Sequence, residues 1–322
     1  MHNLRETLEN QQIKIYFATV VAAGLIAYAV PDTTVLEAAI NPALAFMLFG
    51  TFLQVPIAEL GRAFLRVRFL GTLMAVNFVA IPVLVLGLIQ FLPTDPMIRI
   101  GVLLVLLTPC IDYVVTFSHL GRADAKLLLA ATPALLIAQM ALLPVYLRLF
   151  LGDDAHGLVQ MGPFVHAFVW LIAVPLIGAG VLQLIAGRNA SAARLSAGLG
   201  LLPVPATALV LFVVVAGVVP QLGLALEGAV RALPVYLAFA VLAPAIGWFI
   251  ARLNRLDIPA ARAIAFSAGT RNSLVVLPLA FAIPNAMPLL PAIIVTQTLV
   301  ELVSELFYIR VIGRLGDRAV AA

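Results

Sequence analysis

Apolar runs long enough to cross a hydrocarbon core of about 30 Å follow one another along the whole chain, separated only by short charged or Gly/Pro loops. Backbone placed in lipid must satisfy its own hydrogen bonds, so such runs fold as helices. They fall near Ile13–Val30, Val35–Leu53, Phe69–Phe91, Ile98–Leu120, Leu127–Leu149, Phe164–Leu184, Leu195–Val219, Leu233–Ala251, Ala261–Ile283 and Leu289–Ile312. The pattern predicts an all-α integral membrane protein of ten transmembrane helices. Only 11% of the residues are charged, against roughly 25% in a soluble domain, which excludes an ordinary globular enzyme. No loop is long enough to hold a soluble domain.

Charge placement orients these helices. If the N-terminus is cytoplasmic, the inner segments carry Arg5, Lys14, Arg62, Arg66, Arg68, Arg122, Lys126, Arg188, Arg194, Arg252, Arg255, Arg262, Arg310, Arg314 and Arg318. The outer loops then carry only Arg99, Arg148 and Arg231. By the positive-inside rule both termini are cytoplasmic, as an even number of spans requires, and the expected location is the cell inner (plasma) membrane. The net charge of +4 reflects this loop bias. No basic patch with interleaved aromatics points to nucleic acid, and the single cysteine excludes an intramolecular disulfide.

Two runs are interrupted where a membrane helix should be smooth. One reads Leu107-Thr108-Pro109-Cys110-Ile111-Asp112-Tyr113, the other Ser267-Ala268-Gly269-Thr270-Arg271-Asn272-Ser273. Non-helical backbone at membrane depth is tolerated only where protein buries it or it lines a cavity. A pair of such segments, one in each half of the chain, marks the binding site of a secondary transporter. The halves also share a short match: Pro133-Ala134-Leu135-Leu136-Ile137-Ala138-Gln139 against Pro291-Ala292-Ile293-Ile294-Val295-Thr296-Gln297. At this offset Cys110 falls opposite Ala268, and Asp112 opposite Thr270. Five spans per half is an odd number, so the halves, about 1–155 and 156–322, are expected to be inverted-topology repeats with discontinuous crossing helices at spans 4 and 9.

The interruptions hold most of the chemistry. A charge near the bilayer centre costs at least about 2.5 kcal/mol and normally finds a partner inside the bundle. Asp112 and Arg271, of opposite sign, are therefore expected to meet, since neither has an evident partner in its own helix; the blander reading is a static salt bridge. Cys110 follows a proline that frees backbone carbonyls and could offer soft sulfur to a soft solute such as trivalent arsenic or antimony. Its alternative is space filling. Glu301 and Glu305 lie one turn apart. A carboxylate taken out of water binds a proton more readily, which suits Glu301 to proton coupling. Glu305 is expected nearer the cytoplasmic interface, paired with Arg310. Asn272 and Ser273 rise above the interhelical hydrogen bonding expected of Asn77, Thr132 and Gln139. No metal-ligand cluster, cofactor motif or nucleophile–base pair stands out.

At these motifs the chain resembles the bile acid/arsenite transporter superfamily, whose members have ten spans with discontinuous helices at spans four and nine. Thr108-Pro109-Cys110, with His119-Leu120-Gly121-Arg122-Ala123-Asp124 beyond it, is similar to that family's fourth span. The arsenite efflux permeases carry Ala-Pro-Cys there, with the cysteine needed for trivalent arsenic transport. Leu299-Val300-Glu301-Leu302 resembles their last-span Leu-Val-Glu. The sodium-coupled branch instead has Ser-Asn on span four and Glu-x-x-x-Gln-Asn on span nine, which ligate sodium. Here those positions read Val114-Val115 and Ser267 to Asn272, with Arg271 in the latter. The permeases' span-nine glutamate is also missing from Arg271-Asn272-Ser273-Leu274.

The resulting expectation is a proton-coupled transporter exporting arsenite or antimonite. Cys110 engages the metalloid, Asp112, Arg271, Asn272 and Ser273 complete the substrate site, and Glu301 and Asp112 carry protons. The alternative is an organic-anion carrier of the same fold, not sodium-coupled, with Arg271 binding a carboxylate. A membrane-embedded enzyme or sensor lacks any supporting motif.

Overall fold

A computed structural model describes residues 2–54, 66–111, 113–152, 162, 165–166, 169–281, 283 and 288–317. Among these the chain is helical, with one isolated antiparallel bridge and no strand. Six helices are long and apolar enough to cross a membrane, or seven when one bent pair counts as a single span.

The helices gather into two compact units, and each draws on both halves of the chain. One unit comprises Met1–Ile57 and Met161–Ala225. It contains α1 (His2–Ala29), α2 (Glu37–Gln54), α8 (Val174–Ala186), α9 (Ala190–Leu199) and α10 (Pro203–Val218). Here α10 packs on both α1 and α2, with Ala23, Val215 and Ala216 forming a small-residue core. The Gln183 amide donates to the carbonyls of Phe52 and Leu53 at the end of α2. The continuous span expected over Leu195–Val219 is instead bent by 45° between α9 and α10. Pro203 cannot donate to a preceding carbonyl, and Gly198 and Gly200 weaken the turn before it.

The other unit comprises Ala58–Gln160 and Leu226–Ala322. Its elements are α3 (Val67–Ala75), α4 (Ile81–Leu88), α5 (Pro96–Leu106), α6 (Tyr113–Leu120), α7 (Ala125–Leu151), all but the first turn of α11 (Leu222–Leu253), α12 (Ile258–Gly269), α13 (Ser273–Phe281) and α14 (Leu289–Val311). Both interruptions break their spans, α5 from α6 and α12 from α13. Asp95 caps α5 and Asp257 caps α12, each accepting backbone N–H groups of the first turn.

One spacing recurs throughout this unit. Tyr146 donates its hydroxyl to the Phe78 carbonyl and Tyr308 donates to the Ala240 carbonyl, each at 2.5 Å and across 68 residues. Both acceptors lie four residues before a proline, Pro82 and Pro244, whose missing N–H leaves the carbonyl for the tyrosine. The two sets stand 162 positions apart (78 to 240, 146 to 308). The same step separates the capping Asp95 from Asp257, and Thr108 from Thr270. Both threonines bond the carbonyl four residues back. The sequence match at Pro133 and Pro291 is one helical turn shorter than this step, so it keeps the helix face but misplaces the register.

Candidate functional site

The two breaks meet and pair. Pro109 and Arg271 form the antiparallel bridge. The Cys110 N–H donates to Thr270 O at 3.1 Å, and the Asn272 N–H donates to Thr108 O at 2.8 Å. Helix ends left without internal partners therefore satisfy each other across the crossing. Gly269 is required here by close approach: an added Cβ would stand 2.9 Å from the Tyr308 ring.

Diverting those N–H groups leaves carbonyls behind. In an unbroken helix Leu106 O, Ser267 O and Ala268 O would accept from the N–H groups of Cys110, Arg271 and Asn272. The first and last of these donors serve the crossing. The Arg271 N–H goes instead to Glu301 Oε2 at 2.7 Å. The Arg271 guanidinium fills the resulting gap. Its Nη2 lies 2.5 Å from Ser267 O, 2.7 Å from Ala268 O and 2.9 Å from Asn77 Oδ1, and its Nη1 donates to Leu106 O at 3.4 Å. The guanidinium carbon sits 5.4 Å from the Phe239 ring centroid, a cation–π distance. Arg271 is fully buried.

This corrects two sequence expectations. Arg271 does have partners in its own helix, because a side chain just past a helix C-terminus can turn back onto the last carbonyls. Asp112, its expected partner, lies outside the described residues. Glu305 does not pair with Arg310 among the described residues. It is completely buried, with Oε1 2.6 Å from the Thr270 hydroxyl oxygen. Five residues along a helix rotate the side chain by about 140°, which takes Arg310 off that face.

Glu301 is the other hub. It accepts from the Tyr113 hydroxyl, from the Arg271 N–H and, at 2.6 Å, from the Gln297 amide. It forms no ion pair with the Arg271 guanidinium among the described residues. Ser273 accepts the Thr298 hydroxyl at 2.9 Å. Cys110 is buried at the crossing, and Asn272 is buried with its Nδ2 unpartnered among the described residues. Arg271 Nε, Gln297 Oε1 and Glu305 Oε2 are likewise unpartnered there. The crossing thus gathers Cys110, Arg271, Asn272, Ser273 and Glu301.

Sequence reasoning missed Tyr113, Gln297 and Thr270, and treated Asn77 as ordinary interhelical polarity. The structure sets Asn77 in a π-helical turn, Val76–Ala80, two residues before Pro82, and such turns concentrate at functional sites; in the sequence only Pro82 pointed to it.

The family model described as Sodium Bile acid symporter family matches residues 41–224, more than half of the chain. No curated protein matches the chain at a significant level. Members of that family are transporters, which makes this chain a multi-pass membrane transporter and not an enzyme.

Proposed function

Because the chain belongs to the sodium bile acid symporter family, we propose that it is a proton-coupled, sodium-independent secondary transporter that exports trivalent arsenite or antimonite from the cytoplasm. The observation that carries this reading is the position of Cys110. Its backbone is fixed at the crossing by the bond to Thr270, one residue from the Pro109–Arg271 pair. A thiolate-forming side chain there suits a soft metalloid. Glu301 is bonded to the same pair through the Arg271 N–H, so substrate and proton sites share one structural element. Asn272 and Ser273 complete the substrate site, and Asp112, two residues from Cys110, shares the exchange of charge with Glu301.

A neutral metalloid hydroxide needs no fixed cation opposite it. An organic carboxylate would need Arg271, whose terminal nitrogens are already held by four protein oxygens. That engagement favours the neutral substrate. The architecture is ten spans, from the long helices, the bent pair, the two broken pairs and the segment ending in α8. It is arranged as inverted repeats with cytoplasmic termini. The repeated tyrosine–carbonyl bonds support the repeat, and the antiparallel bridge supports its inversion.

The test is arsenite accumulation in everted vesicles driven by a proton gradient. Cys110→Ser should lose accumulation at near wild-type abundance in the membrane, and undiminished accumulation would return Cys110 to packing. Replacing sodium with choline should leave the wild-type rate unchanged. A tenfold loss, about 1.4 kcal/mol of coupling, would contradict sodium independence.

A further inference from the structure

The family is named for sodium, yet at the crossing the space among four uncharged oxygens is filled by the Arg271 side chain. We infer that the Arg271 guanidinium is a tethered substitute for a bound monovalent cation, and that removing it creates an alkali-cation site. This deepens the sodium-independent reading and does not depend on the metalloid.

Leu106 O, Ser267 O, Ala268 O and Asn77 Oδ1 surround the guanidinium, with no carboxylate among these four. Neutral carbonyl-type oxygens are the ligands that replace the hydration shell of hard monovalent ions. Three of them belong to the C-terminal turns of two half-helices, α5 and α12, where the helix dipole favours positive charge. Each has lost its helical donor to the crossing or to Glu301. They cannot be left bare without a cost of about 1–3 kcal/mol apiece. A donor or a cation has to meet them, and beside two helix C-termini positive charge is favoured.

Coordination number points the same way. Nη2 carries two N–H groups but has three oxygens at 2.5–2.9 Å. A directional donor cannot serve three acceptors fully, whereas a spherical ion can. Meanwhile Arg271 Nε has no partner among the described residues. The cage therefore fits the charge of the guanidinium better than its hydrogen-bonding pattern.

The experiment uses full-length protein purified in choline chloride. Thermal unfolding is followed while sodium, potassium or methylguanidinium chloride replaces choline at constant ionic strength. The Arg271→Ala midpoint should rise with sodium or potassium, and with methylguanidinium, by about 2 °C or more. Wild type and Arg271→Lys, which keep a tethered cation, should not respond. Adding Asn77→Ala to Arg271→Ala should remove the response, because it deletes one of the four oxygens. If Arg271→Ala is not recovered folded in choline, recovery in sodium or methylguanidinium is the same result read as yield. No recovery in any salt, a response no larger than that of wild type, or one that survives Asn77→Ala would overturn the inference. A sodium response in wild type would break sodium independence instead; the cage would then stand or fall on whether Arg271→Ala gains more.

Discussion

Between Leu106 and Tyr113 the chain leaves the helix at a proline; between Gly269 and Ser273 it leaves without one. In the first break Pro109 has no N–H to give, and the Thr108 N–H covers the Val105 carbonyl instead. In the second, every residue has an N–H, and the helix stops because those donors are drawn elsewhere. Glu301 takes the Arg271 N–H, Thr108 O takes the Asn272 N–H, and the guanidinium caps the carbonyls left over. One break is made by covalent geometry, the other by charge. The first persists whatever surrounds it, whereas the second depends on Glu301 and Arg271 together.

The largest effect should come from Glu301, on which the second break depends. Glu301→Leu strands the Gln297 amide and the Arg271 N–H, and removes the closer of the acceptors of the Tyr113 hydroxyl. At about 1–3 kcal/mol per buried unsatisfied group, the loss is expected to be about 3 kcal/mol or more. Denaturation of the purified protein measures it. Glu301→Gln keeps the shape, so it should retain most of the stability while abolishing proton-driven transport. Full transport in that variant would show that the carboxylate only caps a helix.

Packing behind the two breaks offers a second contrast. A Cβ at Gly247 would meet Ala268 Cβ at 2.7 Å, Ile264 O at 3.0 Å and Ala265 Cα at 3.2 Å, so relief requires α12 to shift. For a Cβ at Gly101, on α5, the three nearest atoms all belong to the Ile293 side chain, the first at 3.0 Å. Gly247→Ala should cost about 1–3 kcal/mol, and Gly101→Ala less. The reverse order, measured on the two purified variants, would mean that α12 yields more readily than its contacts imply.

A third test asks where the two halves are alike. Tyr146→Phe and Tyr308→Phe each remove the donor to a carbonyl freed by proline. Each should lower stability by about 1 kcal/mol. A large difference between them would weaken the repeat.

The positions of the breaks were legible because helix-breaking and polar residues inside an apolar run have no other explanation in lipid. Their pairing was not, since antiparallel register depends on how two distant segments are aligned. The short match at Pro133 and Pro291 suggested an offset one turn away from the one the paired tyrosines and capping aspartates share. Tyr146-Leu147-Arg148 and Tyr308-Ile309-Arg310 are alike at that step and were legible as a one-turn delay, but three residues are too short a match to set the register. Arg271 was legible as a costly charge, but the backbone carbonyls that hold it were not foreseen. An opposite charge is the obvious expectation in low dielectric, yet backbone carbonyls at two helix ends serve it as well. Glu305 was misplaced by treating sequence proximity to Arg310 as spatial proximity.

The smallest effect is expected at Gln139, which stands to its half as Glu301 stands to the other, 162 positions apart, the step set by the paired tyrosines. It is buried, and neither amide atom has a partner among the described residues. The same step explains why. The three residues that donate to Glu301 are Arg271, Tyr113 and Gln297. Their counterparts are Pro109, Val275 and Leu135, none of which can make the corresponding donation. An amide without partners contributes no hydrogen-bond stability, so Gln139→Leu should change stability by less than about 1 kcal/mol or raise it, in contrast to Glu301→Leu. Transport separates packing from function: a fall in arsenite accumulation at unchanged stability would place the Gln139 amide on the substrate's path. A stability loss of about 2 kcal/mol or more would instead show that Gln139 has partners of its own, and that the two halves are polar in the same way.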